Sequence, residues 1–144
     1  MLYYGRSSTF LMENVKTKMY EKLTAAEKLV MKTIWDHEEQ EMSLSEITRY
    51  VNEEYGKGWA PQTVSTFLAH LVRKEYVKMK REGRRISYEI LIPISSYKAQ
   101  ESRKYVNFWN KGSITDFLSA FYREKAVTPD ELKDLKDCIA ALDK

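Results

Sequence analysis

The stretch Trp59-Ala60-Pro61-Gln62-Thr63-Val64-Ser65-Thr66-Phe67-Leu68-Ala69-His70-Leu71-Val72-Arg73-Lys74 decides how this chain folds. Pro61 suits the first position of a helix, where its missing N–H costs nothing and its fixed φ is already helical. From there Val64, Phe67, Leu68, Leu71 and Val72 recur at helical spacing, which predicts one continuous apolar face. The opposite face carries Gln62, Thr63, Thr66, Ala69, His70 and Arg73. Such a helix docks through one side and presents a low, hydrogen-bonding surface on the other.

Directly after it the period of the pattern changes from 3.6 to 2. Val77 and Met79 alternate with Lys78 and Lys80, and Ile86, Tyr88, Ile90 and Ile92 alternate with Ser87, Glu89 and Leu91. Between the runs lies Arg81-Glu82-Gly83-Arg84-Arg85, where Gly83 supplies the positive φ of a tight turn. The pattern predicts a hairpin with one apolar face and a basic tip. Upstream, two capping boxes, Thr24–Glu27 and Ser43–Glu46, mark helix starts. The first helix buries Val30, Met31, Ile34 and Trp35 and ends in the acidic run Asp36 to Glu41. The second buries Leu44, Ile47, Val51 and Tyr55 and stops at Gly56-Lys57-Gly58.

Pro93 with Ser95-Ser96 marks a boundary, beyond which three more helical patterns follow. Tyr97, Glu101, Tyr105, Phe108 and Trp109 form the first, ending near Gly112. Ile114, Phe117, Leu118, Phe121 and Tyr122 form the second. A third capping box, Thr128–Glu131 with Pro129, opens the last, with Leu132, Leu135, Cys138, Ile139 and Leu142 on one face. Cys138 is expected there as a small buried hydrophobe. The expected division is an N-terminal extension over 1–22, poorly ordered, a DNA-binding domain over 23–93, and a helical dimerisation domain over 94–144. The first eleven residues are expected to be dispensable, with Met12 as a native start.

Composition narrows the function classes. The 144 residues are 43% apolar and 31% charged, which suits an ordinary globular core. One cysteine and two histidines leave little for a metal site or a His-based catalytic centre, and no nucleophile–base pair stands out. The expectation is therefore no enzyme, no cofactor and no metal. No apolar run approaches the length of a membrane span, and Phe10-Leu11-Met12 is too short for a signal-peptide core, so the expected location is cytoplasmic, without membrane insertion. The net charge is only +3, but residues 73–85 hold seven basic side chains against two acidic ones. That concentration predicts a polyanion contact at one place.

Helix, helix, helix, hairpin is the order of a winged helix-turn-helix, mainly α with a small β-hairpin wing. In that arrangement the third helix reads the DNA major groove. Gln62, Thr63, Thr66 and His70 are the candidate base readers, since amide and hydroxyl groups match base edges. Arg73, Lys74, Lys80, Arg81, Arg84 and Arg85 are the candidate phosphate contacts. Seven aromatics in the C-terminal region exceed what three short helices can bury alone. Tyr105, Phe108, Trp109, Phe117, Leu118, Phe121, Leu132, Leu135 and Ile139 are therefore the candidate contacts of a homodimer. Two other readings stay open: a winged-helix protein–protein module without DNA binding, and a regulator whose inducer is a small molecule held by those aromatics.

The segment Leu23 to Asp36, the helix Trp59 to Lys74 and the basic wing ending in Tyr88 resemble the penicillinase/methicillinase repressor family (BlaI/MecI-like), over about residues 22–142. The resemblance implies a dimeric transcriptional repressor that binds dyad-symmetric operators of double-stranded DNA with TACA/TGTA-like halves. It also implies a three-helix C-terminal dimerisation region and a link to a membrane sensor-protease pathway. Thr63 and Thr66 stand where the family's helix contacts bases; Gln62 stands where a basic residue is common, and His70 where Arg is usual. The family's inactivating cut, between Asn and Phe, maps onto Ala120–Phe121, with Ala in place of Asn.

Overall fold

The computed structural model describes residues 19–143. The expectations for the first eighteen residues, including the dispensable extension and the start at Met12, lie outside the described residues. Among the described residues six helices and three strands follow in the order α1 (Ala25–Asp36), β1 (Met42–Ser43), α2 (Leu44–Tyr55), α3 (Pro61–Arg73), β2 (Val77–Glu82), β3 (Arg85–Ile90), α4 (Ile94–Asn110), α5 (Ile114–Phe121) and α6 (Pro129–Leu142). The chain divides into two compact units between Lys98 and Ala99, inside α4.

All three capping boxes form. Thr24 N donates to Glu27 Oε1 at 3.0 Å while Glu27 N donates to Thr24 Oγ1 at 3.2 Å, and Ser43–Glu46 and Thr128–Glu131 repeat the exchange. Gly56 ends α2 in the left-handed region at φ +60°, which glycine enters without a Cβ penalty. The end of α3 is less obvious from sequence. Glu75, not glycine, takes φ +65° there. Tyr76 N donates to Leu71 O and Glu75 N to Val72 O, the paired bonds of a Schellman motif, and buried Tyr76 packs over the helix end.

In the first unit α1, α2 and α3 surround one core of Val30, Met31, Ile34, Trp35, Ile47, Val51, Val64, Leu68, Leu71 and Tyr76. Val64, Leu68 and Leu71 are wholly buried, each contributing about 1.5–3 kcal/mol. The sheet has the order β1-β3-β2, all antiparallel, with Met42 opposite Tyr88 and Val77 opposite Ile90. This is a winged helix-turn-helix. Residues 20–22, grouped above with the extension, lie on the domain: Tyr20 is half-buried beside Tyr76, whose hydroxyl donates to the Glu21 carbonyl, and Lys74 Nζ donates to the Lys22 carbonyl.

Four details depart from the sequence pattern. β1 was not expected, because two residues cannot display a period and their pairing with β3 is non-local. Met79, expected on the apolar face, is 53% exposed, while Ser87 is buried. Met79 sits on β2, an edge strand of the sheet, opposite Tyr88, whereas Ser87 sits on the central strand, flanked by β1 and β2. Ile92 falls outside β3: the amides of Leu91 and Ile92 both turn to the Tyr76 carbonyl, and the indole of Trp35 donates to Ile92 O at 2.9 Å. Finally, Cys138 is exposed, because the face it shares with Ile139 and Leu142 is uncovered in the single chain.

The second unit contains no buried residue in α5 or α6. Ser113 caps α5 by accepting from Asp116 N at 3.0 Å, and Asn110 donates to the Asp116 carboxylate at 2.7 Å. Tyr105 and Phe117 meet edge-on at 5.9 Å, yet Phe108 and Trp109 are 76% and 66% exposed. Among the described residues no helix is long and apolar enough to cross a membrane.

Candidate nucleic-acid interface

The turn between α2 and α3 fixes where α3 begins. Asn52 accepts from Trp59 N at 2.8 Å and donates to Trp59 O at 2.9 Å, a two-bond latch across seven residues. The Trp59 ring then meets Phe67 at 5.0 Å, bracing the flank of α3. Asn52 was not among the residues singled out by sequence, since a lone Asn on a helix carries no pattern.

With its apolar side so fixed, α3 leaves Gln62, Thr63, Thr66, Ala69 and Arg73 exposed along the opposite side. The Thr66 hydroxyl donates to Gln62 O at 3.2 Å. Its hydrogen is thereby engaged within the helix, and its free lone pairs and methyl face solvent. His70 and Lys74 behave differently from their neighbours. His70 Nδ1 lies 3.1 Å from Glu27 Oε2, and Lys74 Nζ lies 2.6 Å from Glu27 Oε1 and 2.8 Å from Lys22 O. The Lys74 side chain is only 8% exposed. It is a strut between α3 and α1, turned away from the face to which sequence reasoning assigned it.

Glu27 shows why. Burial pushes its carboxyl up, but the bonds from Lys74, the Thr24 amide and His70 outweigh burial and hold it below its ordinary value. The capping box announced Glu27 as a cap, while its second role depends on residues more than forty positions away.

The wing is divided in the same way. Lys80 Nζ pairs with Glu41 Oε1 at 3.0 Å, which holds the ammonium above its ordinary pKa. Arg85 Nη2 donates to Glu41 O at 3.0 Å and to Glu46 Oε1 at 3.1 Å, so the first residue of β3 is tied to the start of α2. The Ser43 amide first, then Arg85, lower the Glu46 carboxyl pKa against the pull of burial. Arg81 and Arg84 are exposed at the tip and make no ion pair among the described residues. Gly83, at φ +65°, opens the two-residue loop Gly83-Arg84, the position where such hairpins require glycine, while Arg81 precedes the loop on β2.

In the second unit the predicted contact residues Tyr105, Phe108, Trp109, Phe121, Leu132 and Ile139 are exposed, and Phe117, Leu118 and Leu135 are half-buried. Ala120 and Phe121 are both exposed in the last turn of α5.

Comparison with known proteins bears on this arrangement. Residues 23–141 match the family model of the penicillinase repressor. The chain is 25% identical over 122 residues to the methicillin resistance regulatory protein MecI of Staphylococcus aureus, covering 85% of this chain and 95% of that one. It is 25% identical over 118 residues to the penicillinase repressor of Bacillus licheniformis, covering 82% and 89% of the two chains. The solution structure of the monomeric form of Bacillus licheniformis BlaI in complex with the blaP half-operator is 31% identical, with a TM-score of 0.41. It covers 55% of this chain and 92% of that one.

Proposed function

The chain belongs to the penicillinase repressor family, and from that premise we propose that it is a sequence-specific, DNA-binding transcriptional repressor that acts as a homodimer on dyad-symmetric operators. The family and the curated relatives are repressors, not enzymes. The observation that carries the reading is the exposed face of α3. Gln62, Thr63, Thr66 and Ala69 are small or hydrogen-bonding, and Arg73 closes the row. A surface of this kind meets base edges in the major groove, while the unpaired Arg81 and Arg84 on the wing tip reach phosphate. Lys74, Lys80 and Arg85 support this reading indirectly, by holding α3 and the wing in place through Glu27, Glu41 and Glu46.

The second copy belongs on the aromatic surface of the second unit. Phe108 and Trp109 on α4, Ile114 and Phe121 on α5, and Leu132 and Ile139 on α6 are all exposed, and large exposed apolar surfaces mark interaction sites. A two-fold partner covers it with the same residues and brings two copies of α3 to one operator. Scission of Ala120–Phe121, a bond at the exposed end of α5, would then separate the two halves of that surface and release the operator.

The test is a mobility shift with the promoter of its own operon against a random duplex, with sedimentation equilibrium of the same preparation. A dimer that prefers its promoter by orders of magnitude is expected. A monomer that binds that promoter tightly, or a dimer that binds neither duplex, overturns the reading.

A further inference from the structure

Within the repressor reading, on which this inference rests, one side chain of α3 is held in one orientation by a buried carboxylate. His70 reaches back to α1, and its Nδ1 lies 3.1 Å from Glu27 Oε2. A carboxylate only accepts hydrogen bonds, so Nδ1 must carry the proton. Glu27 cannot swing away. Its side chain is 3% exposed, its Oε1 accepts from the Thr24 amide at 3.0 Å, and Lys74 Nζ bonds the same oxygen at 2.6 Å. The His70 side chain nevertheless remains 39% exposed. With Nδ1 pinned against a buried carboxylate, the exposed part of the ring is its other edge, which bears Nε2. A neutral imidazole protonated at Nδ1 has a lone pair at Nε2.

We propose that His70 is a specificity-determining residue that in its neutral form presents Nε2 as a hydrogen-bond acceptor to an amino-bearing base edge, cytosine N4 or adenine N6, and that Glu27 is the positioning residue that fixes this tautomer. An acceptor selects against guanine and thymine at that position, because their major-groove edges offer only acceptors. An arginine at the same position would select the reverse, guanine, through its donors. His70 thus changes the class of base that this position of α3 reads. The charged groups that face the ring are Glu27 on α1 and, through the same carboxylate, Lys74 on α3.

Two measurements on the full-length protein test this separately from the repressor reading. First, nitrogen-15 NMR of the imidazoles at pH 8.5, without DNA, should show His70 protonated at Nδ1 and bare at Nε2. Glu27→Gln, which keeps an acceptor for the cap, should remove that fixed state. Second, binding-site selection from a randomised duplex pool at the same pH should return A or C at one position of each half-site. His70→Ala should lose preference at that position alone, by about 5- to 100-fold, with the others retained. His70→Arg should move the preference to G. If wild type selects no sequence, the repressor reading fails. If it selects one that His70→Ala selects equally, or if His70 is protonated at Nε2, this inference fails and the repressor reading stands.

Discussion

Lys74 Nζ lies 2.6 Å from Glu27 Oε1, joining the C-terminal cap of α3 to the first turn of α1 with both side chains nearly buried. Breaking one side of such a pair leaves an uncompensated charge, which costs more than the pair itself contributes. Glu27→Gln should therefore lower unfolding stability by about 3 kcal/mol near neutral pH. The Glu27 carboxyl lies below its ordinary value of 4.5 in the folded protein, so its contribution is full above that value and is lost as pH falls through the lower, folded one. Urea unfolding from pH 7 to pH 3 should show the gap between wild type and Glu27→Gln closing only below about pH 4.5. A gap unchanged at pH 3 would mean the pair is not what Glu27 contributes.

Salt dependence should separate the two kinds of wing cation. Each phosphate contact adds about 0.9 to the slope of log K against log salt, so losing Arg81 and Arg84 from both protomers should flatten it by about 3 to 4. Arg85→Ala should leave the slope closer to wild type and loosen the wing instead, since its guanidinium is held by Glu46. Titrations on random duplex between low and moderate salt distinguish these outcomes.

Thr66→Val keeps shape and removes the oxygen that faces solvent. Specific operator binding should weaken by about 1–3 kcal/mol while random-duplex binding stays unchanged. The internal bond to Gln62 O is one the helix can lose at little cost. Equal losses on both duplexes would remove Thr66 from the reading set.

Phe108 and Trp109 are exposed in the single chain, so removing them should not weaken its fold. The double variant Phe108→Ala, Trp109→Ala should shift sedimentation from dimer to monomer, because exposed aromatics of this size are typical anchors of an interface.

Where the first unit ends is itself testable. Tyr97, in the first turns of α4, meets Trp35 at 5.1 Å and Tyr76 at 5.9 Å. Two such ring contacts are worth about 1–3 kcal/mol. A fragment ending at Lys98 should therefore unfold at a higher temperature than one ending at Pro93, and Tyr97→Ala should narrow the difference to what Ile94, packed on the same core, contributes.

The sequence by itself determined the helices, their starts and the wing. Capping boxes at Thr24, Ser43 and Thr128, the glycines at 56 and 83, and the period change after Arg73 are local signals, and local hydrogen bonding obeys them. The exposed face of α3 was legible for the same reason, because a helical period places Gln62, Thr63 and Thr66 together wherever the helix docks. Only the tertiary structure decided which cations remain free. Lys74, Lys80 and Arg85 look like Arg81 and Arg84 in the chain, yet Glu27, Glu41 and Glu46, each about forty residues away, hold the first three. The two-residue β1, the Schellman turn at Glu75 and the latch from Asn52 to Trp59 were hidden likewise. An ion pair or a strand pairing between distant segments leaves no period in either, and it exists only once folding has brought the two together.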